Sequence, residues 1–200
     1  MTLLSQAKTL GGVGSVLVIL ASIPGVGWLV SLIGFILVLI AVKYVSDSLA
    51  DRSIFNNMII SVVAAIAGVV VGGLYIVASV LSFFHVNLGN MGTISQAAPT
   101  FANGQIMSLI TTVVGGLLVV WIALIVSAVF LRRSYSTMGS KLNVGTFNTA
   151  ALLYLIGAVT AIIFIGFVIL LVAEIVQIIA FFSLPEAFPQ SGAVPQPQQM

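Results

Sequence analysis

The sequence predicts an all-α fold: a polytopic transmembrane helical bundle of six spans, arranged as three helical hairpins with both termini cytoplasmic. Three observations predict it. Hydrophobic residues make up 60% of the 200 positions and charged residues 5%, where a soluble domain carries about 25% charge. Two apolar blocks, Leu10–Val45 and Phe147–Leu184, are too long for one crossing: the first would make a helix of roughly 50 Å against a hydrocarbon core of about 30 Å. Finally, folding both blocks into hairpins places Lys8, Lys43, Arg52, Arg132, Arg133 and Lys141 on one side, as the positive-inside rule requires. With each block as a single crossing, Lys8 falls opposite the other five.

The first block breaks at Pro24-Gly25-Val26-Gly27, where proline removes a backbone donor and the glycines loosen the helix. Spans are expected near 7–23 and 26–44. The connector that follows holds Asp47, Asp51 and Arg52, and Asp51 is placed to cap a helix beginning near Ser53. The third and fourth spans, near 57–84 and 105–131, exceed the bilayer and should tilt or protrude. Ala64, Gly68 and Gly72 recur every four residues on the third, and Ser108, Thr112 and Gly116 on the fourth. Small residues at that spacing let two helix backbones approach closely. The string Val-Val-Gly-Gly-Leu around Gly72-Gly73 returns around Gly115-Gly116, which predicts that these two spans pack together.

The loop 85–104 between them carries no Asp, Glu, Lys or Arg. The second block breaks more weakly, at Ile165-Gly166-Phe167, giving spans near 147–165 and 166–184. Shifting the first block by 139 positions aligns Gly27 with Gly166 and Ala41 with Ala180, a trace of an internal repeat. Residues 185–200, ending in PQPQQM, read as a disordered Pro/Gln-rich cytoplasmic tail.

Composition excludes several function classes. The chain has no cysteine and one histidine, so thiolate chemistry and a multi-histidine metal site within one chain are ruled out. The six basic residues form no patch interleaved with aromatics, so nucleic acid is not an expected partner. Arg132, Arg133 and Lys141 follow the fourth span and read as an anchor on anionic membrane lipid. Neither a nucleophile elbow nor a zincin motif is present, and Gly11-Gly12-Val13-Gly14 enters a membrane helix rather than cradling phosphate. No catalytic, cofactor-binding or metal site is expected.

Glu174 is the only ionisable residue deep within an expected span, with Gln177 three positions on. A charge at the bilayer centre costs roughly 3 kcal/mol or more, so Glu174 should face the bundle interior and find partners. Ser15, Tyr75, Thr112 and Thr160 lie at comparable depth by counting inward, and form the expected polar layer. Two functions from different classes follow. The first is a non-enzymatic structural, accessory or assembly component of the cell membrane, a homo-oligomer or subunit of a larger complex; its mark would be a small-residue face left uncovered. The second is a small proton or cation channel or transporter using Glu174, marked by a cavity reaching that residue.

The strings SQAKTLGGVGSVL (Ser5–Leu17), IPGVGWLV, DRSIFNNMI (Asp51–Ile59), LLYLIGA (Leu152–Ala158) and FFSLPE (Phe181–Glu186) resemble the archaeal integral membrane family known as domain of unknown function 996. The resemblance implies a multi-span helical protein of an archaeal cell membrane, with no assigned activity and no catalytic residues to carry over. The zinc-ribbon-like cysteine motif that ends some relatives has no counterpart in this cysteine-free chain.

Overall fold

The computed structural model describes residues 2–20, 27–83 and 103–186. They form six α-helices: α1 (Leu3–Ile19), α2 (Gly27–Ser48), α3 (Arg52–Phe83), α4 (Asn103–Leu142), α5 (Gly145–Thr160) and α6 (Ile165–Phe182). Each packs on the next, and α6 returns to α1, so the chain closes an up-and-down ring. Five helices, α2 to α6, are long and apolar enough to cross a membrane, and α1 is a shorter apolar helix. Among the described residues, the apolar side chains pointing out of the ring are left exposed, as the lipid-facing wall of a membrane bundle requires.

Both apolar blocks fold back on themselves. The first turn, Pro24-Gly25-Val26, lies outside the described residues, as do most of the loop 85–104 and the tail from 187. The second reversal falls earlier than the sequence indicates. A 3-10 turn, Ala161–Ile163, ends at Phe164 in the left-handed region (φ 62°), and Gly166 already lies in the first turn of α6. Gly166 is needed for contact rather than for bending: a Cβ there would run into the Gly157 carbonyl and the Ala161 backbone.

At the opposite end the connectors are short. Asp51 accepts a hydrogen bond from the Ser53 amide (2.9 Å), capping α3, while the Ser46 hydroxyl donates to the Asp51 carbonyl (2.8 Å). Asn143, at φ 55°, takes the left-handed position after α4, and the Val144 amide returns to the Gly139 carbonyl (2.9 Å). Helix α4 runs eleven residues past the expected span end at 131, so Arg132, Arg133 and Lys141 are helical rather than beyond the helix. Three ion pairs stud this end: Lys43–Asp47 (2.8 Å), Lys141–Asp51 (2.6 Å) and Lys8–Glu186 (3.7 Å). The Lys141 ammonium, with the Ser53 hydrogen bonds behind it, holds the Asp51 carboxyl down at about 2.

The packed core occupies the same half. Tyr135, Phe147 and Phe181 meet edge to face, with ring centroids 5.2 to 6.3 Å apart, and Leu4, Val42, Ile54 and Met138 close around them. Among the described residues, α3 and α4 extend past the other helices toward the other end. The Trp121 indole donates to the Ala158 carbonyl (3.0 Å), one of the acceptors that the end of α5 leaves free. From Trp121, α4 continues to Asn103, roughly 25 Å further. Leu74 (65%) and Met107 (66%) on this overhang are among the most exposed side chains described.

Candidate functional site

Above the aromatic core, all six helices contribute to one cavity of about 310 Å³. Val18 comes from α1, Phe35 and Val38 from α2, Ser61 and Ala65 from α3, Ser127 and Tyr135 from α4, Tyr154 from α5, and Glu174 and Gln177 from α6. The wall is mostly aliphatic, so its few polar groups define its chemistry.

Gln177 is the hub of those groups. Its side-chain carbonyl accepts from the Tyr135 hydroxyl (2.9 Å) and the Tyr154 hydroxyl (2.8 Å), and its amide donates to Ser15 Oγ (2.8 Å). Ser15 spends its own proton on the Gly11 carbonyl (2.8 Å), so it can only accept from Gln177, which fixes the orientation of the amide. Four helices are thereby tied through one residue, and Gln177 and Ser15 are almost wholly buried. On the far wall, Ser61 and Ser127 share a hydrogen bond (2.9 Å) across α3 and α4.

Glu174 sits one turn along from Gln177, half-buried, on the cavity wall. Among the described residues nothing hydrogen-bonds to its carboxylate and no cation pairs with it. The other three acids, Asp47, Asp51 and Glu186, each hold a lysine at the charged end.

The expected polar layer is thus drawn from different residues. Ser15 and Gln177 are together. Tyr75 is 53% exposed on the outside of α3, and the hydroxyls of Thr112 and Thr160 turn back to the Ser108 and Ile156 carbonyls of their own helices. Tyr135 and Tyr154 are the members that counting depth along the sequence misses. Both follow helix-helix contacts that no local spacing encodes.

The small residues divide likewise. A Cβ on Gly68 would strike the Ala123 side chain, and one on Gly72 would lie 2.8 Å from the Gly116 carbonyl oxygen. Gly116 is buried against Gly72 and Ile76, whereas Gly73 faces open space and Gly115 meets only the Tyr75 ring at 3.7 Å. Ala64 is partly buried, and Ser108 is exposed. Gly11 and Gly12 instead seat Phe181 and Phe182 of α6.

Of the six basic residues, Lys8, Lys43 and Lys141 carry the ion pairs, and Arg52 is exposed at the start of α3. Arg132 and Arg133 line an outer recess of about 510 Å³ with Asn57, Ser136 and Thr137. No group of three or more His, Cys, Asp or Glu side chains placed to hold a metal occurs among the described residues.

A ring of apolar helices around a cavity to which all six contribute, with a single interior acid and the other charged side chains gathered at one end, defines a polytopic helical membrane protein. The chain belongs to the family described as "Protein of unknown function (DUF996)", whose model matches residues 30–175. It is 30% identical over 183 residues to the uncharacterized protein MJ1644 of the archaeon Methanocaldococcus jannaschii, covering 92% of this chain and 94% of that one. No solved structure matches it.

Proposed function

We propose that this protein is a non-enzymatic cell-membrane protein that passes protons, with Glu174 as the group that meets them. The observation that carries this reading is the cavity to which every helix contributes and in which Glu174 is the one acid without a partner among the described residues. An interior carboxylate costs free energy in a membrane, and such residues generally mark a substrate or ion path. Assembly through an open small-residue face finds less support, because Gly68, Gly72 and Gly116 are covered within the chain. The end bearing Lys8, Lys43, Arg52 and Lys141 is read as cytoplasmic by the positive-inside rule. Arg132 and Arg133 in their outer recess are suited to anionic lipid headgroups.

The test is proton flux into liposomes holding a pH-sensitive dye, driven by an imposed pH gradient. The wild-type chain should dissipate the gradient faster than empty liposomes, and Glu174→Gln should return the rate to the empty-liposome value. Equal rates for wild type and empty liposomes would end the reading.

A further inference from the structure

We infer that the central cavity binds a small lipophilic organic cation, an ammonium carried on a compact apolar body, with Glu174 as its counter-ion. The inference rests on Glu174 being the working group of the cavity, as above, but not on transport. Four features of the wall choose this ligand over others.

The cavity is about 310 Å³, near the lower end of the roughly 300 to 1,000 Å³ range of small-molecule sites, so the ligand is compact. Val18, Val38, Ala65 and Leu170 give it apolar surface, which favours an apolar body and disfavours a hydrated ion.

Oxygen donors for a bare metal ion are already engaged. Gln177 is committed to Ser15, Tyr135 and Tyr154, and Ser61 and Ser127 are bonded to each other. One carboxylate is left, where a hard cation takes about six oxygens. An ammonium needs only that one acceptor. A neutral ligand would leave the carboxylate without a counter-charge, and an anion would be repelled by it.

Phe35, Tyr135 and Tyr154 line the same cavity, and aromatic faces attract an ammonium as they do not attract a neutral isostere. The site therefore pairs one anionic anchor with an aromatic and aliphatic enclosure.

The experiment is equilibrium binding of phenethylammonium to the full chain in detergent micelles, by calorimetry and by the shift in unfolding temperature. The neutral analogue 2-phenylethanol and sodium ion are tested alongside. Saturable ammonium binding is expected, with the alcohol weaker by on the order of tenfold and sodium without effect. Glu174→Gln should weaken the ammonium by a similar factor and leave the alcohol unchanged. Should Glu174→Gln fail to fold, Ala65→Leu, which takes up cavity volume and keeps the carboxylate in the chain, must abolish binding. Equal binding of ammonium and alcohol, or undiminished ammonium binding in Glu174→Gln or Ala65→Leu, overturns the inference. Proton flux that depends on Glu174 without ammonium binding sinks this inference alone; ammonium binding without flux sinks only the transport reading.

Discussion

Gly14 and Gly34 lie back to back where α1 crosses α2: a Cβ on Gly14 would stand 2.6 Å from the Gly34 carbonyl oxygen, and one on Gly34 would stand 2.5 Å from that of Gly14. The other hairpins cross in the same way. Gly72 meets Gly116 between α3 and α4, and Gly157 meets Gly166 between α5 and α6. Without a hydrophobic force between helices in lipid, close backbone approach is what associates them. The obstacle at each crossing includes a main-chain carbonyl, which cannot rotate aside as a side chain can. Gly14→Ala should therefore force the hairpin apart and cost about 1–3 kcal/mol. Gly73→Ala, with nothing within 4 Å, should be neutral or stabilise by up to about 1 kcal/mol through helix propensity. Unfolding midpoints in detergent measure both; equal midpoints for the two variants would refute the role given to the crossing.

The four-residue spacing along α3 and α4 picks Gly72 and Gly116 out of their doublets, while the repeated Val-Val-Gly-Gly-Leu string points equally to Gly73 and Gly115. The structure selects Gly72, the first of one pair, and Gly116, the second of the other, because antiparallel helices present their doublets in opposite order. The repeat of 139 positions was also legible only in outline. It aligns the buried face of α2 with that of α6 and the residues just after it: Gly34 with Ala173, Val38 with Gln177, Ala41 with Ala180, Val42 with Phe181 and Val45 with Leu184 are buried in both. At the cavity the pairs Phe35/Glu174 and Val38/Gln177 put apolar groups on one wall and polar ones on the other. The acid could be found because ionisable residues are rare in apolar helices. Tyr135 and Tyr154 could not, since an isolated tyrosine in a membrane helix equally fits an interfacial position and only the tertiary contact with Gln177 separates the two.

Gln177 holds three partners on three other helices, so its loss should exceed the loss of any one of them. Gln177→Met keeps the shape and leaves two phenols and a hydroxyl without their partner. The expected cost is about 1–3 kcal/mol, against about 0.6 kcal/mol for Tyr135→Phe or Tyr154→Phe alone. In the double variant Gln177→Met with Tyr135→Phe, the costs should fall short of additive, because the second change removes a group already orphaned. A double-mutant cycle on unfolding free energy in detergent reads this directly. Strict additivity would mean that the phenol and the amide act independently.

Asp51 couples the α2–α3 connector to the end of α4 through Lys141, and it is the place where acid should act on stability. Its carboxyl is held at about 2, below the ordinary 3.8, chiefly by the Lys141 hydrogen bond. A lowered acid contributes stability above its unfolded value, and that contribution is lost as pH falls through the folded one. Wild type should therefore lose stability relative to Asp51→Asn between about pH 4 and pH 2, with no difference in slope above that window. Because the pair is exposed, high salt should shrink the effect. Thermal unfolding at stepped pH and two ionic strengths tests it; parallel curves for the two proteins across the window would show the pair to be inert.

The connectors Leu49–Asp51 and Asn143–Val144 are too short to cross a bilayer, so the helices they join must be antiparallel neighbours. Lys141 at the end of α4 pairs with Asp51 of the α2–α3 connector, and Lys8 near the start of α1 pairs with Glu186 just after α6, so Lys8 and Lys141 share one end of the bundle and one membrane face. The natural absence of cysteine makes the test clean. Lys8→Cys and Lys141→Cys should both be labelled by a membrane-impermeant maleimide only after the cytoplasmic face is opened. Labelling of positions 8 and 141 from opposite faces would require α1 and α2 to form one crossing. The ring would then lack the hairpin that supplies Ser15 to Gln177 and Phe35 to the cavity, and Glu174 would lose the enclosure on which its proposed role depends.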